Sequence, residues 1–128
     1  MKRYDVIGIG NALLDILVPV DDGLLGELGI TRGAMELVTS ERSDGLYRHL
    51  PEGRQRSGGS AANTIAGFAA LGGSAGFIGK VGDDAFGDRF IADLQASNIA
   101  WFGKNMALQT ITESERAGTG RCLVLISD

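Results

Sequence analysis

Apolar residues fall along this chain in short runs parted by polar turns, and the runs change period as they go. Tyr4 to Ile9 is compact and β-branched and closes on Gly10, which predicts a buried strand. Leu13 to Val20 predicts a second extended run, stopped by Pro19 and Asp21-Asp22. A short helix is expected from Asp22 to Leu28, ending at Gly29, and a short strand from Met35 to Val38. Thr39 or Ser40 then caps a helix to about Leu50, with Glu41 in its first turn and Pro51 and Gly53 beyond its end.

The second half alternates more regularly. After an extended polar segment and two glycines, Ser60 is placed as the cap of a helix to about Leu71, closed by Gly72-Gly73. Its small residues (Ala61, Ala62, Ala66, Gly67, Ala69, Ala70) let a helix lie close on a sheet. Ala75 to Ile78 reads as a strand. Asp83 or Asp84 caps a helix from Ala85 to about Ala96, whose apolar stripe is Phe86, Phe90, Ile91 and Leu94. Ala100 to Phe102 reads as a further strand. Met106 to Thr112 and Arg121 to Ile126 read as a hairpin about the polar stretch Glu113 to Gly120.

Strands alternating with helices imply an α/β fold with a mainly parallel sheet and flanking helices. Four extended segments stand outside that alternation: 13–20, 35–38, 106–112 and 121–126. They are expected to build a small second sheet, a lid assembled from about 13–39 and 104–127 over a cleft. The whole of 1–128 is read as part of a single domain.

Composition narrows the function. The formal net charge is −4, which argues against nucleic-acid and anionic-membrane partners, since both rely on basic patches. The one cysteine, Cys122, excludes an internal disulfide and a Cys-based zinc site, and no metal site is expected. Asp5 and Asp15 break the apolar run after Lys2-Arg3, so no signal peptide is read; no apolar stretch is long enough for a bilayer, and a cytoplasmic location is the expectation. The 20 glycines exceed the ordinary share of about 7% and cluster where apolar runs end, as tight turns and close approaches would require.

Two nucleotide motifs fail on inspection. Gly8-Ile9-Gly10 follows a strand, but Leu13 replaces the third glycine of a dinucleotide fingerprint. Gly79-Lys80 lacks the first P-loop glycine, where Ser74 stands, and Val81 replaces the magnesium-binding hydroxyl residue. Asn11 and Asp15 lie just past the first strand, where open α/β sheets bind ligands. On residues alone they read equally as a turn and a solvated strand residue. Gly58-Gly59 with Asn63 fits a cradle for a polyhydroxylated molecule: glycine allows close backbone approach, a helix start offers free N–H groups, and Asn both donates and accepts. On residues alone a tight turn with an exposed helical Asn fits equally. His49 reads as a solvated residue near a helix end, and Cys122, Trp101 and Phe102 as core.

Three segments, Ile7-Gly8-Ile9-Gly10-Asn11-Ala12-Leu13-Leu14-Asp15, Ser57-Gly58-Gly59-Ser60-Ala61-Ala62-Asn63-Thr64 and Gly79-Lys80-Val81-Gly82-Asp83-Asp84-Ala85-Phe86-Gly87, stand in an order that resembles the N-terminal half of the ribokinase-like (PfkB) sugar and nucleoside kinases. Thr119-Gly120-Arg121-Cys122 resembles the adenosine kinase branch. The resemblance implies phosphoryl transfer from ATP, with magnesium, to a sugar or nucleoside hydroxyl. It implies that Asp15 and Asn11 bind hydroxyls, that Gly58 and Gly59 meet them through backbone and Asn63 through its side chain. It also implies that Met35, Glu36 and Cys122 face the substrate. A Gln is usual in the adenosine branch where Glu36 stands. The family's Gly-Ala-Gly-Asp run, which carries the catalytic Asp and an anion hole, does not occur in this chain. The expectation is therefore a substrate-binding portion, inactive and without ATP or magnesium when alone. An unpaired sheet edge and an uncovered apolar face would favour self-association. The alternative expectation is a non-catalytic, self-associating binding fragment.

Overall fold

The computed structural model describes residues 3–103 and 118–128. Its elements in chain order are β1 (Val6–Ile9), β2 (Leu13–Pro19), α1 (Asp22–Glu27), α2 (Ser40–His49), β3 (Arg54–Gly58), α3 (Ser60–Ala70), β4 (Ala75–Ile78), α4 (Ala85–Ala96), β5 (Ile99–Trp101) and β6 (Gly120–Ile126). They form two three-stranded sheets, ordered β1-β4-β5 and β3-β2-β6. The α/β class with a parallel sheet and a second small sheet is therefore as the sequence implies.

The first sheet is parallel throughout. Val6 stands beside Ala75 and Ile9 beside Ile78, while Ala75 stands beside Ile99 and Phe77 beside Trp101. This register puts Gly8, Phe77 and Trp101 on one face. α3 and α4 both pack on this sheet. α3 comes close because Gly8 has no side chain: a Cβ there would stand 3.0 Å from Ile65 Cδ1 and closer still to its Cγ1. Phe77, Phe90, Leu94 and Ile99 are almost wholly buried. The Phe77, Phe90 and Trp101 rings lie 5.8–6.1 Å apart between centroids. Each such fully buried side chain contributes about 1.5–3 kcal/mol of transfer free energy, so α4 is firmly seated. On the opposite face Ile7 and Ile9 are 47% and 74% exposed.

The chain divides into two compact units. One comprises the described residues up to Asp15 and from Arg56 to Cys122; the other comprises Ile16–Gln55 and Leu123–Asp128. In the second, Leu25 is the buried anchor of α1. Gly53 there lies against β2, since a Cβ would stand 2.7 Å from the Leu17 carbonyl oxygen. Thr39 caps α2 by accepting from the Arg42 amide at 3.3 Å.

Several expectations need correction. Met35 to Val38 forms no strand; residues 31–40 are all exposed, and no strand among the described residues pairs with them. The strand beside β2 is instead the polar Arg54–Gly58. Its arginines face solvent, as suits an edge. Gly59, not Ser60, caps α3, because its φ of 101° and ψ of 139° carry the chain from strand into helix without a side chain. Cys122 is exposed rather than core, since its side of β6 is left open. Phe102 is 37% exposed at its edge contact with Tyr4, and Trp101 is half-buried. The expected strand 106–112 lies outside the described residues.

Candidate functional site

Within the first unit, two segments far apart in sequence meet backbone to backbone. The β1–β2 loop and the start of β2 bring Asn11 and Asp15. The end of β3 and the start of α3 bring Gly58, Gly59 and Asn63. A Cβ on Gly59 would stand 2.6 Å from the Asn11 carbonyl oxygen, and one on Gly58 would stand 2.6 Å from Asp15 Cγ. One on Gly10 would stand 2.7 Å from Ala61 Cβ. Real Cβ atoms do not tolerate such distances, so the close fit needs glycine at these positions. Gly59 needs it twice, because L side chains rarely adopt its positive φ.

Asp15 alternates with the buried Leu14 and Ile16, so its carboxylate emerges on the other face of β2. There it is pressed against the Gly58 backbone and half-buried. Burial alone pushes its pKa above the usual carboxylate value; no hydrogen bond or cation among the described residues counters it. Cys122 on β6 is near enough to feel it: burial first, and then the Asp15 charge, push the thiol pKa up. An ionised carboxylate only accepts hydrogen bonds, so this one lacks the donors that would offset its burial.

Asn63 lies in the first turn of α3, where its amide donates to the Gly59 carbonyl at 2.8 Å and its side chain is exposed. The Gly59 cap has no side chain to satisfy the first-turn amides. Thus Asn11, Asp15, Gly58, Gly59, Asn63 and Cys122 belong to one unit. Met35 and Glu36 belong to the other. Both are exposed, and the Glu36 carboxylate pairs with Arg42 Nε at 3.4 Å.

Asp84, in the third segment, is fully engaged. Its Oδ1 accepts from the Gly87 amide at 2.8 Å and from Thr119 Oγ1 at 2.6 Å, while Oδ2 accepts from the Thr119 amide at 2.8 Å. Thr119 is buried, and its Oγ1 also accepts from the Gly82 amide at 3.0 Å. Burial raises the Asp84 pKa, but donation by the Thr119 side chain and amide and by the Gly87 and Phe86 amides outweighs it, leaving the pKa below the usual value. This motif is a structural latch that starts α4 and holds the approach to β6.

Asp93 escaped the sequence reading. Its Oδ2 accepts from the Ser57 amide at 2.7 Å, one residue before Gly58. The available signal was its place between Phe90 and Leu94, where a carboxylate flanks a buried stripe. Among the described residues no group of three or more His, Cys, Asp or Glu side chains could hold a metal ion, and no helix is long and apolar enough to cross a membrane.

Comparison with known proteins adds the family context. The model of the pfkB family of carbohydrate kinases matches residues 28–125. Adenosine kinase from Sinorhizobium meliloti is 37% identical with a TM-score of 0.74, over 99% of this chain and 37% of that one. A probable sugar kinase from Rhizobium etli CFN 42 is 34% identical with a TM-score of 0.71, over 100% of this chain and 37% of that one. A fructokinase from Klebsiella pneumoniae is 50% identical over 48 residues, which is 34% of this chain and 16% of that protein. The chain thus spans well under half the length of these relatives.

Proposed function

The chain belongs to the pfkB family of carbohydrate kinases, and from that premise we propose that its residues hold the acceptor sugar or nucleoside of an ATP-dependent kinase. The carrying observation is Asp15, a partly desolvated carboxylate with no donor among the described residues, set against glycine backbone. Paired hydroxyls of a ribose or hexose would supply the missing donors. Asn11 and Asn63 flank the same cradle, and the first-turn amides of α3 offer further donors. Adenosine is the first acceptor to test, on the strength of Thr119-Gly120-Arg121-Cys122 and the similarity to an adenosine kinase. Cys122, in the same unit as Asp15, is the proposed discriminator beyond the hydroxyls.

These residues do not fit ATP or magnesium. An unneutralised carboxylate repels a triphosphate, and among the described residues no cluster of acidic side chains converges to bind the metal. The 128 residues therefore bind the acceptor, and we expect no phosphoryl transfer by this chain alone. Calorimetric titration with adenosine, ribose, fructose and 2-keto-3-deoxygluconate tests the reading. At least one should bind saturably, and Asp15→Ala should weaken it about 100-fold, the scale for losing hydrogen bonds to a charged group. Equal affinity in both proteins would sink the proposal; ATP turnover by the chain that Asp15→Ala abolishes would instead overturn the expectation that it transfers no phosphoryl group alone.

A second property is favoured by the exposed Ile7 and Ile9 on β1, an edge strand of the parallel sheet among the described residues. Such an edge favours association between copies. Light scattering that shows a monomer at high concentration would refute it.

A further inference from the structure

The Gly58–Gly59 cradle and Asp15 work only at a set separation, and Asp15 has no polar partner among the described residues to set it. We propose that Asp93 is the positioning residue: through the Ser57 amide it fixes the height of the Gly58–Gly59 backbone against Asp15. The inference rests on the acceptor-binding reading above.

Three observations carry it. First, among the described residues β3 is an edge strand, paired on one side only, with β2. Its Ser57 amide is spent on Asp93 Oδ2 at 2.7 Å. A charge-assisted bond of that length is stronger than a neutral ladder bond. Second, the donor lies immediately before Gly58, so any shift of Ser57 moves the backbone that touches the Asp15 carboxylate. The close fit leaves no slack to absorb it. Third, Asp93 is itself immobilised. Phe90 and Leu94, its neighbours on α4, are 0% and 1% exposed, and Phe90 packs on Phe77 and Trp101 of the parallel sheet. The result is a continuous path from the aromatic core, through one helix and one hydrogen bond, to the cradle.

Asp93 touches no proposed ligand position, so its effect is indirect and has a specific signature. Asp93→Ala removes the acceptor of the Ser57 amide. Asp93→Asn keeps an acceptor oxygen of the same reach. Ala92→Gly, on the exposed side of the same helix, lowers helix stability without touching Ser57. Hydrogen exchange of the Ser57, Gly58 and Gly59 amides is measured in the ligand-free chain of each variant. The dissociation constant for the acceptor that binds the wild-type chain is measured beside it.

Asp93→Ala should speed exchange at these amides about tenfold or more and weaken the acceptor about tenfold, each corresponding to roughly 1.4 kcal/mol. Asp93→Asn should restore both nearly to wild type, and Ala92→Gly should change neither. Unchanged exchange and affinity in Asp93→Ala would overturn the proposal. So would equal changes in Ala92→Gly, since the effect would then be general loss of stability. If no acceptor binds even the wild-type chain, the acceptor-binding reading fails, and the exchange pattern still decides whether Asp93 holds the cradle.

Discussion

Asp15, within β2, and Asp84, which caps α4 and bonds Thr119 just before β6, stand in the same unit and are both half-buried. Burial acts on each in the same direction, yet their pKa values move apart. Around Asp84 the chain supplies Thr119, Gly87 and Phe86 as donors, and the carboxylate is held below its usual value. Around Asp15 no described residue supplies one, and the carboxylate is held above. The lesson concerns what each residue is for. A carboxylate whose hydrogen bonds are met from within stabilises the fold. One left unmet costs stability, and a ligand with donors recovers that cost on binding. Perturbed groups cluster at sites for this reason, and the opposite directions here accord with the proposed roles of Asp15 in acceptor binding and Asp84 in the scaffold.

The sharpest way to break the comparison is to exchange the consequences of losing each acid. Asp84→Ala should lower stability by about 2–3 kcal/mol, combining a lost helix cap with buried Thr119 donors left unpaired. Chemical denaturation measures it, and a loss below 0.5 kcal/mol would show that the latch is ornamental. The wild-type protein should also lose stability as pH falls from 3.8 through the lower folded pKa of Asp84. A depressed folded pKa means that the native state prefers the ionised form, so protonation removes its contribution. Asp84→Ala should flatten that part of the acid limb.

Asp15→Asn should do the reverse. A raised folded pKa means that ionisation in the native state costs stability. The penalty is absent below 3.8, sets in as pH rises through the folded pKa and stays at neutral pH. Asp15→Asn should therefore melt slightly higher than wild type at pH 7, with the gain closing toward pH 3.8, while acceptor affinity falls about 100-fold. A variant that is less stable at pH 7 would show that Asp15 is a structural residue after all.

How much of this was legible in the sequence depends on what each residue needed from elsewhere. α4 was legible from Asp84 to Ala96 because cap, stripe and end are local. β4 was legible because a short apolar run between glycines has few alternatives. β3 was not recognised as a strand of the second sheet: Arg54, Gln55, Arg56 and Ser57 carry no apolar alternation, and only pairing with β2 makes them one. Met35 to Val38 misled for the opposite reason, being largely apolar yet exposed. In the candidate site, Gly58, Gly59 and Asp15 were legible as residue types, but their mutual fit is not a property of either segment. Asp93 was invisible because its partner is a backbone amide 36 positions away. Amides carry no signature in a sequence.

The smallest expected effect tests whether the Asp15 charge reaches its neighbour. Cys122 is exposed, so access should not limit its alkylation. Burial first, and then Asp15, raise the thiol pKa, which lowers the reactive thiolate fraction at neutral pH. Neutral iodoacetamide should therefore react with Cys122 more slowly than with an unstructured thiol. In Asp15→Asn the coulombic contribution disappears while burial stays, so the rate at pH 7 should rise by roughly two- to threefold, a modest change because water screens a half-exposed pair. The same substitution at Asp84 removes a charge for which the Cys122 shift has no contribution, so Asp84→Asn should leave the rate unchanged. Equal acceleration in both variants would mean that the thiol senses net charge or loosened structure rather than Asp15. A rise confined to Asp15→Asn would place the thiol and the unmet carboxylate in one electrostatic neighbourhood, where an acceptor bound at Asp15 should protect Cys122 from the reagent.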